Sequence, residues 1–204
     1  MKKLSGGAIA GIVVAAVVVI LAIFGISSYN SIVKSDQKVT EQWSQVENVT
    51  QRQYDLIPNL VSSVKGSMQQ EQKVFGAIAD ARKDYANASS TKDKANATAE
   101  MTSSVGTLIS VIRESYPTLN SNKQVSTLMS QLEGSQNRIS VERKRYNEAV
   151  QTYNNKVVTF PKNIIANMMG KGTKAYFKAD SKAMNSTPSV DLDTDSSSSS
   201  TSGK

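Results

Sequence analysis

The chain has no cysteine and no histidine in 204 residues. Without cysteine there is neither a disulfide framework nor a thiolate metal site. Without histidine a Ser-His-Asp triad, a Cys-His pair and the usual imidazole zinc sites are all excluded. Di-metal centres in helical bundles draw on inward glutamates and Glu-x-x-His pairs. The glutamates here show no Glu-x-x-Glu spacing either, so an all-carboxylate metal enzyme is the least favoured function. No cofactor and no catalytic residue is expected.

What the chain has is one long apolar run. Residues 8–26 read AIAGIVVAAVVVILAIFGI, with no charge among them. At about 1.5 Å per residue this run is long enough to cross a hydrocarbon core. It exceeds the roughly 7–15 residues of a cleaved signal core, so a retained single-pass anchor is expected. Lys2 and Lys3 precede it, while Lys34 and Lys38 follow. The longer uncharged gap on the second side favours an N-terminus inside and the bulk of the protein outside the cytoplasm. Gly7 and Gly11 form a small-xxx-small pair at the edge of the run, read as chance rather than a packing face.

Beyond the run, apolar residues keep a helical period. Val39, Trp43, Val46, Ile57, Leu60, Val64 and Met68 form one stripe, with Thr50 and Gln53 as polar members. Trp43 is read as a core anchor. Pro58 interrupts this stripe, which predicts a kinked helix or two abutting helices. Val74, Ile78, Ala81 and Tyr85, with Phe75 beside them, mark a second helix. Residues 87–96 read as a connection. Met101, Val105, Leu108, Ile109 and Ile112 mark a third helix, stopped at Tyr116-Pro117. Asn120 or Ser121 can cap the next.

The last helix, expected over 121–159, carries the most regular seam. Val125, Met129, Leu132, Gln136, Ile139, Arg143, Tyr146, Val150, Tyr153 and Val157 alternate steps of four and three. Arg143 in that seam needs a partner or a route to solvent, and Asp55 is the candidate. Tyr146-Asn147 and Tyr153-Asn154 recur one heptad apart. They are read as bonding within the bundle rather than as a stripe for a partner. Ile164, Ile165, Met168 and Met169 suggest a segment folding back on the bundle. Lys174, Lys178 and Lys182 recur at helical spacing, read as a solvated helix end in preference to a membrane-surface helix.

The net charge is +7. With Arg143-Lys144-Arg145 it raises a polyanion-binding alternative, but a lone basic triplet is more often a wet helix face, and no nucleic acid is expected. The expected class is all-α: a transmembrane helix, an antiparallel, elongated bundle of four-helix type, and a disordered Ser/Asp-rich tail. The expected boundaries are 1–28, 29–180 and 181–204.

Several motifs resemble the bacterial LemA family. Tyr29-Asn30 and Trp43 precede the string Arg52-Gln53-Tyr54-Asp55-Leu56-Ile57-Pro58-Asn59-Leu60-Val61. Ala81-Arg82, Tyr116-Pro117, the two Tyr-Asn pairs, Phe160-Pro161 and Tyr176-Phe177 follow in matching order. The resemblance implies a membrane-anchored helical bundle with no established enzymatic activity or cofactor. Envelope or stress roles are suggested for some members. The expected function is a non-enzymatic interaction or scaffold protein of the envelope, with the membrane and an unidentified protein as partners. Its candidate structural or partner-binding polar network is Arg52, Asp55, Asn59, Arg143, Asn147 and Asn154, with locking of the bundle expected ahead of meeting a partner.

Overall fold

The computed structural model describes residues 6–177. The expected tail over 181–204, Lys2, Lys3, Lys178 and Lys182 lie outside the described residues. All regular structure among these residues is helical: α1 (Gly6–Val64), α2 (Gln72–Asn87), α3 (Thr91–Ser115), α4 (Pro117–Asn120), α5 (Lys123–Val158) and α6 (Lys162–Met168). Among the described residues one helix, α1, is long and apolar enough to cross a membrane. Its large apolar side chains from Ile12 to Ile26 are exposed.

The same helix then enters the bundle without a break. Its buried seam runs through Ser28, Ile32, Ser35, Val39, Val46, Thr50, Gln53, Ile57, Leu60 and Val64. That alternation of four and three keeps one face turned to a partner helix. Pro58 lies inside α1, and the helix continues to Val64. Two abutting helices are therefore not what the sequence makes. Proline in a helix interior costs about 3 kcal/mol. Ile57, Leu60 and Val64 bracket it with at most 2% exposure, and each such burial contributes about 1.5–3 kcal/mol.

α5 runs antiparallel to α1 along most of its length. Trp43 meets Tyr146, Lys156 donates to the Ser31 carbonyl at 3.3 Å, and Gln53 and Gln136 share Thr102 as a partner. The α5 N-cap is Asn122, not Asn120 or Ser121. Its Oδ1 accepts from the amides of Gln124 and Val125 at 3.0 and 3.2 Å. The intervening residues 117–120 make the extra helical turn α4.

The hairpin of α2 and α3 covers only the distal half of the α1–α5 pair. Tyr54 takes the Arg82 guanidinium over its ring at 4.2 Å and lies beside Tyr85. Arg113 and Glu133 join α3 to α5 at 2.8 Å. α3 begins at Thr91, inside the stretch expected to be a connection. Ser90 Oγ accepts from the Asp93 amide at 3.1 Å and donates to its carboxylate at 2.6 Å. This reciprocal cap starts the helix early.

Two apolar clusters result. The distal one joins α1, α2, α3 and α5 around Leu60, Met68, Met101, Leu108, Ile112 and Leu132. The proximal one joins α1 and α5 to the returning chain around Ile32, Val39, Val150, Tyr153, Ala166 and Phe177. A polar layer lies between them. Gln136 Nε2 donates to the Thr102 carbonyl at 3.0 Å, and Thr102 Oγ1 donates to Gln53 Oε1 at 3.3 Å. Gln53 is fully buried, so this layer fixes the register of the helices at some cost in stability.

Candidate functional site

After α5 the chain turns through a cis Phe160-Pro161 bond, forms α6 and returns along α5 as an extended strap over 171–177. Gly170, at φ +63, makes the reversal in a backbone region that side-chain-bearing residues rarely adopt. The lysine spacing that suggested a helix from Lys174 onward does not produce one up to Phe177.

The strap is held by the two Tyr-Asn pairs. Asn154 donates to the Lys174 carbonyl at 2.9 Å and accepts from its amide at 2.8 Å. Asn147 does the same with Phe177, at 3.1 and 2.9 Å. Tyr153 and Tyr146 hydroxyls donate to the carbonyls of Gly172 and Ala175. The spacing follows from backbone geometry. Seven residues of helix rise about 10.5 Å, and three residues of extended chain span about 10 Å. An asparagine every heptad therefore meets every third residue of an antiparallel strap. Each side-chain amide satisfies one donor and one acceptor that an isolated strand would leave open. Burial pushes the Tyr146 and Tyr153 hydroxyls up, so both remain donors at neutral pH.

Phe177 ends the strap in an aromatic cluster. Its ring stacks on Trp43 at 5.5 Å and meets Tyr146 edge-on at 5.4 Å. The Arg143 guanidinium lies 4.8 Å from the same ring. The register that pairs Trp43 with Tyr146 sets Arg143 opposite Val46, about 13 Å along the axis from Asp55. Asp55 instead accepts from Gln51 at 2.9 Å on the exposed face of α1. The expected Arg143–Asp55 partnership does not form. Arg52 and Asn59 are exposed as well. These three residues lie outside the packed seam, whereas Asn147 and Asn154 bind the strap, and the buried polar members of the α1 seam are Ser28, Ser35, Thr50 and Gln53.

At the other end of the strap, Asp36 receives both Lys171, at 2.7 Å, and Lys174. Sequence reading missed Asp36; its signal was an isolated acid among Lys34, Lys38 and two serines. Burial pushes its carboxyl up, but the two ammonium groups outweigh this and hold it below the usual value. Lys171 shifts up in concert through its bond to Asp36. With the folded carboxyl below its unfolded value of about 3.9, the pairing contributes fully above that pH and is lost as pH falls through the folded value. Strap docking, followed by Trp43 emission, is expected to weaken only below about pH 4. Asp36→Asn is expected to weaken it already at neutral pH and to flatten the acid limb. An unchanged acid limb in that variant would take Asp36 out of the strap's hold.

Of the clefts on the molecule, one borders the strap and another lies at the distal end of the bundle. One, of about 950 Å³, lies between the strap, Trp43 and the start of α3, with Arg143 and Glu100 on its walls. The other is a shallow distal groove of about 680 Å³ between α1 and α5, lined by Asn59, Ser62, Lys123 and Gln131 among others. Among the described residues no cluster of three or more Asp or Glu side chains could hold a metal ion. The amide pairs, ring stacks and salt bridges gathered here are used within the chain, to hold the strap against α1 and α5.

The described residues define a class of all-helical protein, a bundle continuous with an apolar N-terminal helix that fits a membrane anchor and closed by an asparagine-held strap. The model of the LemA family matches residues 42–192, from beside Trp43 through the bundle and the strap. The chain belongs to the LemA family. No individual curated protein matches the chain closely enough to count as a relative.

Proposed function

We propose that this protein is a non-catalytic interaction or scaffold protein of the cell envelope, with its bundle on the extracytoplasmic side. In this reading α1, α2, α3 and α5 act together as a four-helix rod, and residues 1–28 serve as its anchor. The observation that carries the reading is the unbroken course of α1 from the apolar run to Val64. From Ile26 to Val64 the helix rises about 57 Å. Such a rod holds its distal end at a set height above the bilayer, which suits presentation to a partner rather than turnover of a small substrate.

The distal groove is the face we assign to that partner. Asn59 lies there, uncommitted to the core, beside the polar side chains of Ser62 and Gln131. The polyanion alternative has less support. Arg145 of the basic triplet is paired with Glu142 at 2.8 Å, which removes part of its charge from display.

A photo-crosslinking residue at Asn59 in the full-length protein, irradiated in native membranes, is expected to give one adduct of reproducible mass. The same residue at Lys83 on α2, outside the groove, is expected to give none. Identical adduct patterns from both sites would remove the groove from consideration. A topology reporter fused after Lys182 and active only in the cytoplasm would overturn the proposed side.

A further inference from the structure

The base of the bundle leaves a set of large apolar side chains uncovered. Val158 and Ile164 are exposed, Phe160 keeps 75% of its surface and Met168 81%. Ile165, Ala166 and Met169, on the opposite side of the same short segment, pack into the proximal cluster. The residues around α6 are thus apolar on both sides, yet only one side meets the protein. Clustered uncovered apolar groups of this kind mark a surface that meets another phase or partner.

The height of this patch can be read from its neighbours. Lys156, two residues before Val158, donates to the Ser31 carbonyl, and the strap beyond α6 is already at Asp36. Ser28 is 2% exposed, so the packed base begins about 3 Å above Ile26, where the apolar run stops. The run over 8–26 fills most of a hydrocarbon core of about 30 Å, and the headgroup layers add about 5–7 Å on either side. Val158, Phe160, Ile164 and Met168 therefore fall at headgroup depth.

We propose that these four side chains sit in the interfacial layer of the same bilayer that α1 enters, giving the bundle a second membrane contact. This rests on reading α1 as a membrane span. Lys162 lies on α6 beside the patch and Lys34 stands about 12 Å above Ile26, while the nearby acids are taken up, Asp36 by Lys171 and Lys174 and Glu41 by Lys38. That balance matches anionic headgroups, and an exposed Tyr29 adds an aromatic of the kind that favours the interface. The chain is one anchored molecule with two adjoining lipid contacts, not a rod tethered at a single point.

The absence of cysteine makes the test direct. Single nitroxide labels are placed by Met168→Cys, Phe160→Cys, Ile20→Cys and Ser62→Cys in the full-length protein. Each variant is reconstituted in vesicles of phosphatidylcholine with a minor share of phosphatidylglycerol. Collisions with oxygen and with a water-soluble nickel chelate then report depth. The labels at 160 and 168 are expected to show an oxygen-to-nickel ratio several-fold above that at 62 and below that at 20. A ratio at 160 and 168 equal to that at 62, with 20 still reading hydrocarbon, would overturn the second contact and leave the span intact. Water-like values at 20 would sink the span reading and the inference together. Spin–spin broadening at 168 that disappears on dilution with unlabelled protein would assign the patch to a second copy. Low collision rates with both reagents would assign it to the protein's own tail, and either result overturns the lipid assignment.

Discussion

Replacing both Asn147 and Asn154 by alanine is expected to release the strap while leaving the helices folded. Each asparagine exchanges two hydrogen bonds with one backbone residue. At about 0.5–1.5 kcal/mol net per bond, the four together hold the strap by about 2–6 kcal/mol. The direct readout is amide hydrogen exchange at Lys174 and Phe177, whose N–H groups lose their acceptors. Protection there should fall by two or more orders of magnitude, while amides in the middle of α5 stay protected. Asn154→Asp makes a sharper comparison. It keeps the acceptor for the Lys174 amide but turns a charged oxygen towards the Lys174 carbonyl, so it is expected to loosen the strap despite its similar shape. If both variants leave exchange at 174 and 177 unchanged, the ladder contributes nothing, and Phe177 packing, the tyrosine hydroxyls and the Asp36 ion pairs hold the strap.

Trp43→Ala is the second large effect expected. Trp→Ala substitutions in cores cost about 3–5 kcal/mol, and the partial exposure of Trp43 places it at the lower end. Part of the loss comes from its ring pairs with Phe177 and Tyr146, worth about 0.5–1.5 kcal/mol each beyond area burial. The loss should also be local. The polar layer of Gln53, Thr102 and Gln136 separates the proximal cluster from the distal one, so exchange should quicken around Val39 and Val150 more than around Leu60 and Leu132. Denaturant midpoint and residue-resolved exchange measured on the same variant test both points. Equal loosening of the two clusters would mean that the bundle behaves as one cooperative core.

The parts of this fold that could be read in advance are those where packing imposes a period. The α5 seam was legible because ten residues in four-three alternation arise from little besides a helix face packed along its whole length. The α1 seam was legible from Val39 onward but not before it, since its earlier members Ser28 and Ser35 carry no hydrophobic signal and only Ile32 does. The start of α3 was missed although Ser90 and Asp93 spell a capping pair, because the alanine, asparagine and lysine around them outweighed it as loop composition. Of the six candidate polar residues, Asn147 and Asn154 could be singled out by their heptad spacing. Their partners could not, since those are backbone groups of an extended segment with no periodicity. Arg52, Asp55 and Asn59 drew notice through the conspicuous string that contains them. What that string supplies to packing is instead Tyr54 beneath Arg82, and Ile57 and Leu60 in the core.

The unbroken course of α1 has a mechanical corollary. Membrane helices commonly tilt by about 20°, and a stiff arm of about 57 Å converts that tilt into a sideways sweep of about 20 Å at its tip. A change of lipid thickness that alters the tilt by only a few degrees would still shift the tip by several ångströms. On the proposed reading of α1 as a membrane span, the arm is a lever whose short end lies in lipid, whose long end carries the distal groove, and whose second contact around α6 limits the tilt.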